Sequence, residues 1–225
     1  MPSQDAKSGH AGTRRVNVSP VQQLRPGLST WTAPHPDWAP DSGGPEGWEQ
    51  EVRSYAYDAG DRLVLLDPIS PPPPVHEQAA GKDVIVLLTC GWHARSARDL
   101  VEPLGAMIHS PAVGDEPETL GAGKIFEVGE ELPGGVIAKA GGLFPGEALL
   151  WIPEHGALVA GDVLVHREDG LKAAPDSWLP DGVNRDELRA SLRPLLDLPV
   201  ELILPTHGDP ITDGARGALE AAIES

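Results

Sequence analysis

The chain is short of cysteine, of positive charge and of long apolar runs. A single thiol, Cys90, stands among 225 residues, which excludes a disulfide framework and a cysteine-built structural zinc site. Lys and Arg number 17 against 34 Asp and Glu, for a net charge of −17. That deficit argues against nucleic acid as a partner, because affinity for it comes from Lys and Arg neutralising phosphates. It also disfavours docking on an anionic membrane. The longest strictly aliphatic run, Val84 to Leu88, is far too short to span a bilayer. Met1 to Asn17 is polar and lacks the apolar core of a signal peptide. A soluble, cytoplasmic protein acting on small molecules is the expectation, with the oligomeric state open.

Breakers are abundant, with 26 Gly and 24 Pro, so many short elements and turns are expected. Residues 1–20 read as a loose arm, and 21–225 as one domain long enough to bury roughly 70% of its unfolded surface. Residues 31–48, with three tryptophans, read as a loop folded onto the body. Alternation predicts strands over 51–58 and 62–67, and the near-continuous apolar run 83–89 predicts a buried strand. A helix is expected over 96–104, opened by Ser96 with Asp99 as its capping partner. Short strands follow at 106–109, 124–128, 135–140, 148–152 and 157–165, the last broken at Gly161-Asp162. An amphipathic helix over 185–196, a strand over 200–204 and a helix over 213–223 close the chain. Residues 114–118 read as a solvated acidic loop. The pattern suits sheets covered by helices, α/β or α+β.

Three apolar strands end in polar residues, which is where sheet proteins build sites. The first opens into Cys90-Gly91-Trp92-His93-Ala94-Arg95-Ser96, the second breaks at Gly161-Asp162, and the third ends in Thr206-His207-Gly208-Asp209. No P-loop, nucleophile elbow or dinucleotide fingerprint is present. Cys90 beside His93 would allow a thiol nucleophile, with His207 and Asp162 as partners. Trp31, Trp38 and Trp178 are candidate pocket walls, and His35 and Asp37 reach toward the same mouth.

Together with Asp67 at the end of an early strand, these three anchors resemble the metallo-β-lactamase fold superfamily over roughly residues 22–223. The resemblance implies an αββα four-layer sandwich. It also implies hydrolysis by a water activated on one or two metal ions, usually zinc. The family's His-x-His-x-Asp-His signature falls on Cys90, Trp92, Ala94 and Arg95, and a later histidine falls on Leu143. Only Asp162 and His207 match family ligand positions. Trp92 is expected to fill the space of a metal, and His93, one residue out of register, to face away from it. Arg95 is expected to replace the metal as counter-ion of Asp162.

Three functions follow. In the first, the dinuclear site is lost and no cofactor is needed. A pocket around Trp92, His93, Arg95, Asp162 and His207 binds a small, anionic molecule, with Cys90, Trp92, Ser96 and Trp178 touching it and His93, Arg95, Asp162 and His207 as any catalytic groups. In the second, one zinc ion held by Asp162 and His207 hydrolyses an ester, thioester or lactone. In the third, the pocket is packed shut and the protein is structural.

Overall fold

The structure is a computed structural model that describes residues 17–42, 44–111, 123–144 and 146–224. The first sheet runs in chain order: β1 (Gln22–Arg25), β2 (Leu28–Pro34), β3 (Glu51–Asp58), β4 (Arg62–Leu66), β5 (Asp83–Leu87), β6 (Met107–Pro111) and β7 (Gly123–Phe126). Its first four strands form an antiparallel meander, and β4 to β7 are parallel. Parallel neighbours need crossovers on a face. Here α1 (Pro73–Gln78) lies between β4 and β5, and α2 (Val101–Leu104) between β5 and β6. The second sheet uses β8 (Glu131–Leu132), β9 (Val136–Lys139), β10 (Leu149–Ile152) and β11 (Ala157–Gly161). A hairpin of β12 (Leu164–Arg167) and β13 (Gly170–Ala173) follows, then α3 (Arg185–Leu192), β14 (Leu202–Pro205) and α4 (Ala215–Glu224). The order β14-β11-β10-β9-β8 places β14 parallel beside β11.

The apolar patterning explains the layers. In β4, Val64 and Leu66 face the second sheet while Leu63 and Leu65 face outward. Both faces of the strand are buried, so no polar residue alternates in. Tyr55, Leu66 and Leu87 meet Leu150, Val159 and Leu204 between the sheets. Leu63, Leu65 and Val86 pack outward with Val75 of α1 and with Leu100. On the far side Leu149, Trp151 and Ile203 pack against Leu188 and Leu192 of α3 and Leu219 and Ile223 of α4. The result is the αββα sandwich.

Several boundaries differ from the sequence reading, each for a local reason. Residues 1–16 and 114–118 lie outside the described residues; within the expected arm, Ser19 is tied to Thr32 of β2 through its amide (2.9 Å) and hydroxyl (2.8 Å). Trp31 belongs to β2, fully buried, its indole N–H donating to the Ile69 carbonyl at 2.7 Å. The helix opened by Asn184 has its capping box, with Glu187 N donating to Asn184 Oδ1 at 3.0 Å. It ends at Leu192 rather than 196, because Pro194 lacks a donor and its ring clashes with the preceding turn. The helix expected over 96–104 is two short pieces, Arg98–Leu100 and α2. Ser96 does not cap it; its hydroxyl accepts the Ser70 amide at 2.9 Å. No helix among the described residues is long and apolar enough to cross a membrane.

Candidate functional site

The ends of β4, β5, β11 and β14 meet at one edge of the sandwich. Asp67 follows β4 with φ 44°, a left-handed backbone that costs a non-glycine residue about 1–3 kcal/mol. Its carboxylate is satisfied from the next strand: Thr89 N donates to Oδ1 at 2.8 Å and Thr89 Oγ1 to Oδ2 at 2.6 Å. Two glycines let the other strands close in. A Cβ on Gly161 would sit 2.9 Å from Thr89 Oγ1, and one on Gly208 only 1.9 Å from the His166 carbonyl oxygen. Both also have positive φ, 53° and 94°, so the Gly-Asp and His-Gly pairs are dictated by close approach as well as conformation.

Between these ends sits His93, 3% exposed. Its Nδ1 lies 3.0 Å from Asp67 Oδ2 and its Nε2 3.1 Å from Asp162 Oδ2. Asp162 Oδ1 lies 3.4 Å from His207 Nε2. Burial and the Arg95 charge push the His93 pKa down, but the Asp162 and Asp67 carboxylates outweigh them and hold it well above the usual histidine value. Burial pushes Asp162 up, yet His93 and His207 hold its carboxyl well below the usual range. These directions agree on an imidazolium between carboxylates.

The sequence reading needs correction here. A two-residue register does not apply, because Gly91–Ala94 is a 3-10 turn and not extended chain. Three residues per turn swing His93 inward and Trp92 outward. Trp92 is 46% exposed and stands at the mouth, packed edge-on to Phe144 with ring centroids 5.3 Å apart. Arg95 makes no ion pair with Asp162; its Nη1 donates to the Asp67 carbonyl at 3.3 Å, and His93 takes the place expected of it. Cys90 is fully buried and does not line the cavity, so it is not placed to touch a ligand or act as a nucleophile. Burial pushes its thiol up to about 12. Ser96 also lies off the cavity, on a neighbouring cleft that shares Arg95.

The cavity above this cluster measures about 470 Å³. His93, Arg95, Asp162 and His207 line it with Trp92 and Trp178, as do His35 and Asp37. Trp38 does not; its indole donates to the Trp48 carbonyl. Trp48 and Phe144 are walls that the sequence reading missed. Trp48 and Trp178 flank His207 edge-on, with centroids 5.3 and 5.2 Å away. Burial and the Arg95 charge lower the His35 pKa, which favours its neutral form. Glu147 was missed as well. It lies beneath the cavity wall, accepting the Leu143 and Phe144 amides through Oε2, while its buried Oε1 has no partner. Burial and the Asp162 charge push it up to about 7. No local pattern marks Glu147; only its neighbours do.

The comparisons bear on the family and the fold. A family model described as the metallo-beta-lactamase superfamily matches residues 32–207. No curated protein matches the chain. Among solved structures, the metallo-beta-lactamase FIM-1 from Pseudomonas aeruginosa in a mono-zinc form superposes with a TM-score of 0.62 at 11% identity, covering 93% of this chain and 95% of that one. A metallo-beta-lactamase from Pontibacter korlensis gives 0.64 at 10% identity, covering 93% and 100%. Rubredoxin oxygen:oxidoreductase from Desulfovibrio gigas gives 0.63 at 14% identity, covering 91% of this chain and 61% of that one. At such identities the structural likeness speaks for the fold alone, but the family model spans most of the chain, and the protein belongs to the metallo-β-lactamase superfamily.

Proposed function

We propose that this protein is a cytoplasmic, metal-independent member of the superfamily that binds a small molecule with an apolar body and an anionic group. The observation that carries the reading is Arg95. Its guanidinium lines an aromatic-walled cavity, its Nε is buried without a partner, and it makes no ion pair among the described residues. A partly buried guanidinium without a counter-ion is costly, and a carboxylate or phosphate supplied by a ligand satisfies it with bidentate geometry. Trp48, Trp92, Phe144 and Trp178 offer ring faces and edges to the rest of the molecule. Backbone strain at Arg95, φ 35°, belongs with a side chain held for a purpose.

The test is a thermal-shift panel of small aromatic and aliphatic carboxylates against their neutral amides. A binder raises Tm by mass action. The reading expects carboxylates to raise Tm, amides to do little, and Arg95→Leu to abolish the difference. Equal response to both series, or none to either, overturns it.

A mononuclear metal hydrolase of an ester, thioester or lactone is the second reading, favoured by the convergence of Asp162 Oδ1 and His207 Nε2 at 3.4 Å. Its donor set falls short. Catalytic zinc takes three protein ligands and keeps one position for water. Among the described residues no three His, Cys, Asp or Glu side chains converge as a metal site. Both His93 nitrogens face carboxylates, and Cys90 is held as a thiol. The residues present therefore do not fit the metal, and no hydrolytic step is routed through one. Zinc per chain, measured after purification without metal resin or chelator, separates the two readings. A value near one that falls in Asp162→Ala favours the hydrolase.

A further inference from the structure

Arg95 faces two clefts at once. It lines the aromatic cavity and also a second cleft of about 470 Å³, and His35 is the other described residue common to both. We propose that the ligand carries its anionic group at a branch point between two arms. Arg95 and His35 hold the anion at the boundary of the clefts, an apolar arm fills the aromatic cavity, and an arm bearing hydrogen-bond donors lies in the second cleft. This rests on Arg95 being the anion's partner, as proposed above, and fixes where in the ligand the anion lies.

His35 is placed as a donor. Its Nδ1 accepts the Asp37 amide at 3.2 Å, which leaves the ring hydrogen on Nε2. That Nε2 has no hydrogen-bond partner among the described residues. The backbone is pinned on both sides. The His35 amide donates to the Gln50 carbonyl at 2.8 Å, and the His35 carbonyl accepts the Trp38 amide at 3.3 Å. Pro34 and Pro36 restrict the chain around it. The ring also packs edge-on against Trp48, with centroids 5.2 Å apart. Arg95 supplies the complementary charge: its Nη1 is engaged by the Asp67 carbonyl, while its buried Nε has no partner. Neither side chain offers an acceptor where the other needs one, so the acceptor must come from a ligand.

The two clefts differ in chemistry. Tryptophan and phenylalanine rings wall the first. Gln50, Ser70, Ser96 and Asp99 line the second. That lining is fixed in place: Ser96 Oγ accepts the Ser70 amide at 2.9 Å, and the Ser96 amide donates to the Pro68 carbonyl at 3.2 Å. The Asp99 carboxylate has no partner among the described residues, so an arm that donates is favoured there and a second anion is repelled.

N-Benzoyl amino acids have the required shape: a phenyl arm, a carboxylate at the branch and a side-chain arm. Calorimetry on the full chain gives Kd for the glycine, leucine, glutamine and glutamate members, the chiral ones as both enantiomers. The better glutamine enantiomer is expected to bind about tenfold more tightly than the glycine and leucine compounds, the worth of one charge-assisted hydrogen bond. The glutamate compound is expected to bind more weakly than any of them, and Asp99→Asn to bring it level with the glutamine compound. His35→Phe keeps a ring against Trp48 without the donor. It is expected to weaken every member about tenfold, and His35→Gln to restore most of that loss. Binding with no preference among the arms, or with the leucine arm preferred, overturns the two-armed ligand and leaves the Arg95 reading standing. Wild-type affinity in His35→Phe overturns it as well. Binding of no member overturns both readings together.

Discussion

At the start of β11 His155 packs edge-on against Tyr57, with ring centroids 5.2 Å apart, and at its end Asp162 receives His93. Both ends bring together polar groups from the two sheets. At the start, polar groups pair singly and near solvent: Tyr57 donates to Glu154 at 2.6 Å, and Arg25 bonds both Glu201 and the His155 carbonyl. Burial lowers the His155 pKa, so its neutral form is favoured. At the other end Asp67, Thr89, His93, Asp162 and His207 form a continuous buried chain. Three non-glycine residues with positive φ, Asp67, Ser70 and Arg95, gather around it. The starting end closes a sandwich. The finishing end stores strain and more unsatisfied groups, among the described residues those of Arg95, Glu147, Asp162 and His207 against His155 alone at the start, which folding alone has no reason to keep.

Breaking the buried chain should therefore cost far more than breaking the solvated pairs. Asp67→Asn leaves the Thr89 and His93 donors facing an amide and is expected to lose about 3–5 kcal/mol in urea unfolding. A loss below that of the Tyr57 variant described next would erase the contrast. Glu147 gives a pH signature confined to the site end. Its folded pKa is about 7 against 4.5, so it enters the fold more readily when protonated. Its stabilisation is full below about 4.5 and is lost as pH rises through 7, about 3 kcal/mol in all. Glu147→Gln should flatten the wild-type fall in stability between pH 5 and 8, and an unchanged slope would remove Glu147 from the account.

At the opposite end Tyr57→Phe removes one hydrogen bond and is expected to cost about 1 kcal/mol. Arg25→Ala, which breaks a partly exposed pair with Glu201, should cost about 0.5 kcal/mol or less. If either approaches the Asp67 value, the two ends do not differ in kind.

Much of the architecture was legible along the chain, and the reason is periodicity. RLVLL and DVIVL read as strands because burial on both faces leaves no position for a polar residue. GD and THG marked strand ends because glycine is forced where Thr89 and the His166 carbonyl crowd the backbone. Strands β1 and β2 were missed because Ser29, Thr30 and Thr32 break the apolar alternation and prolines flank the pair. The site was half legible. Asp162 and His207 stood out at strand ends, and the cavity mouth was anticipated from Trp92, Trp178, His35 and Asp37.

The sequence by itself determined which strands are buried and where Gly-Asp and His-Gly steps end them. Those are properties of single positions and their near neighbours. Tertiary structure alone decided which cation faces Asp162. A 3-10 turn, indistinguishable in composition from an extended loop, rotates His93 into the gap and leaves Arg95 to the cavity. It also decided that Glu147, 15 residues before Asp162 in the chain, is charged or neutral according to Asp162 and its own burial. Both outcomes depend on distances between strand ends that are remote along the chain, and no local pattern encodes them.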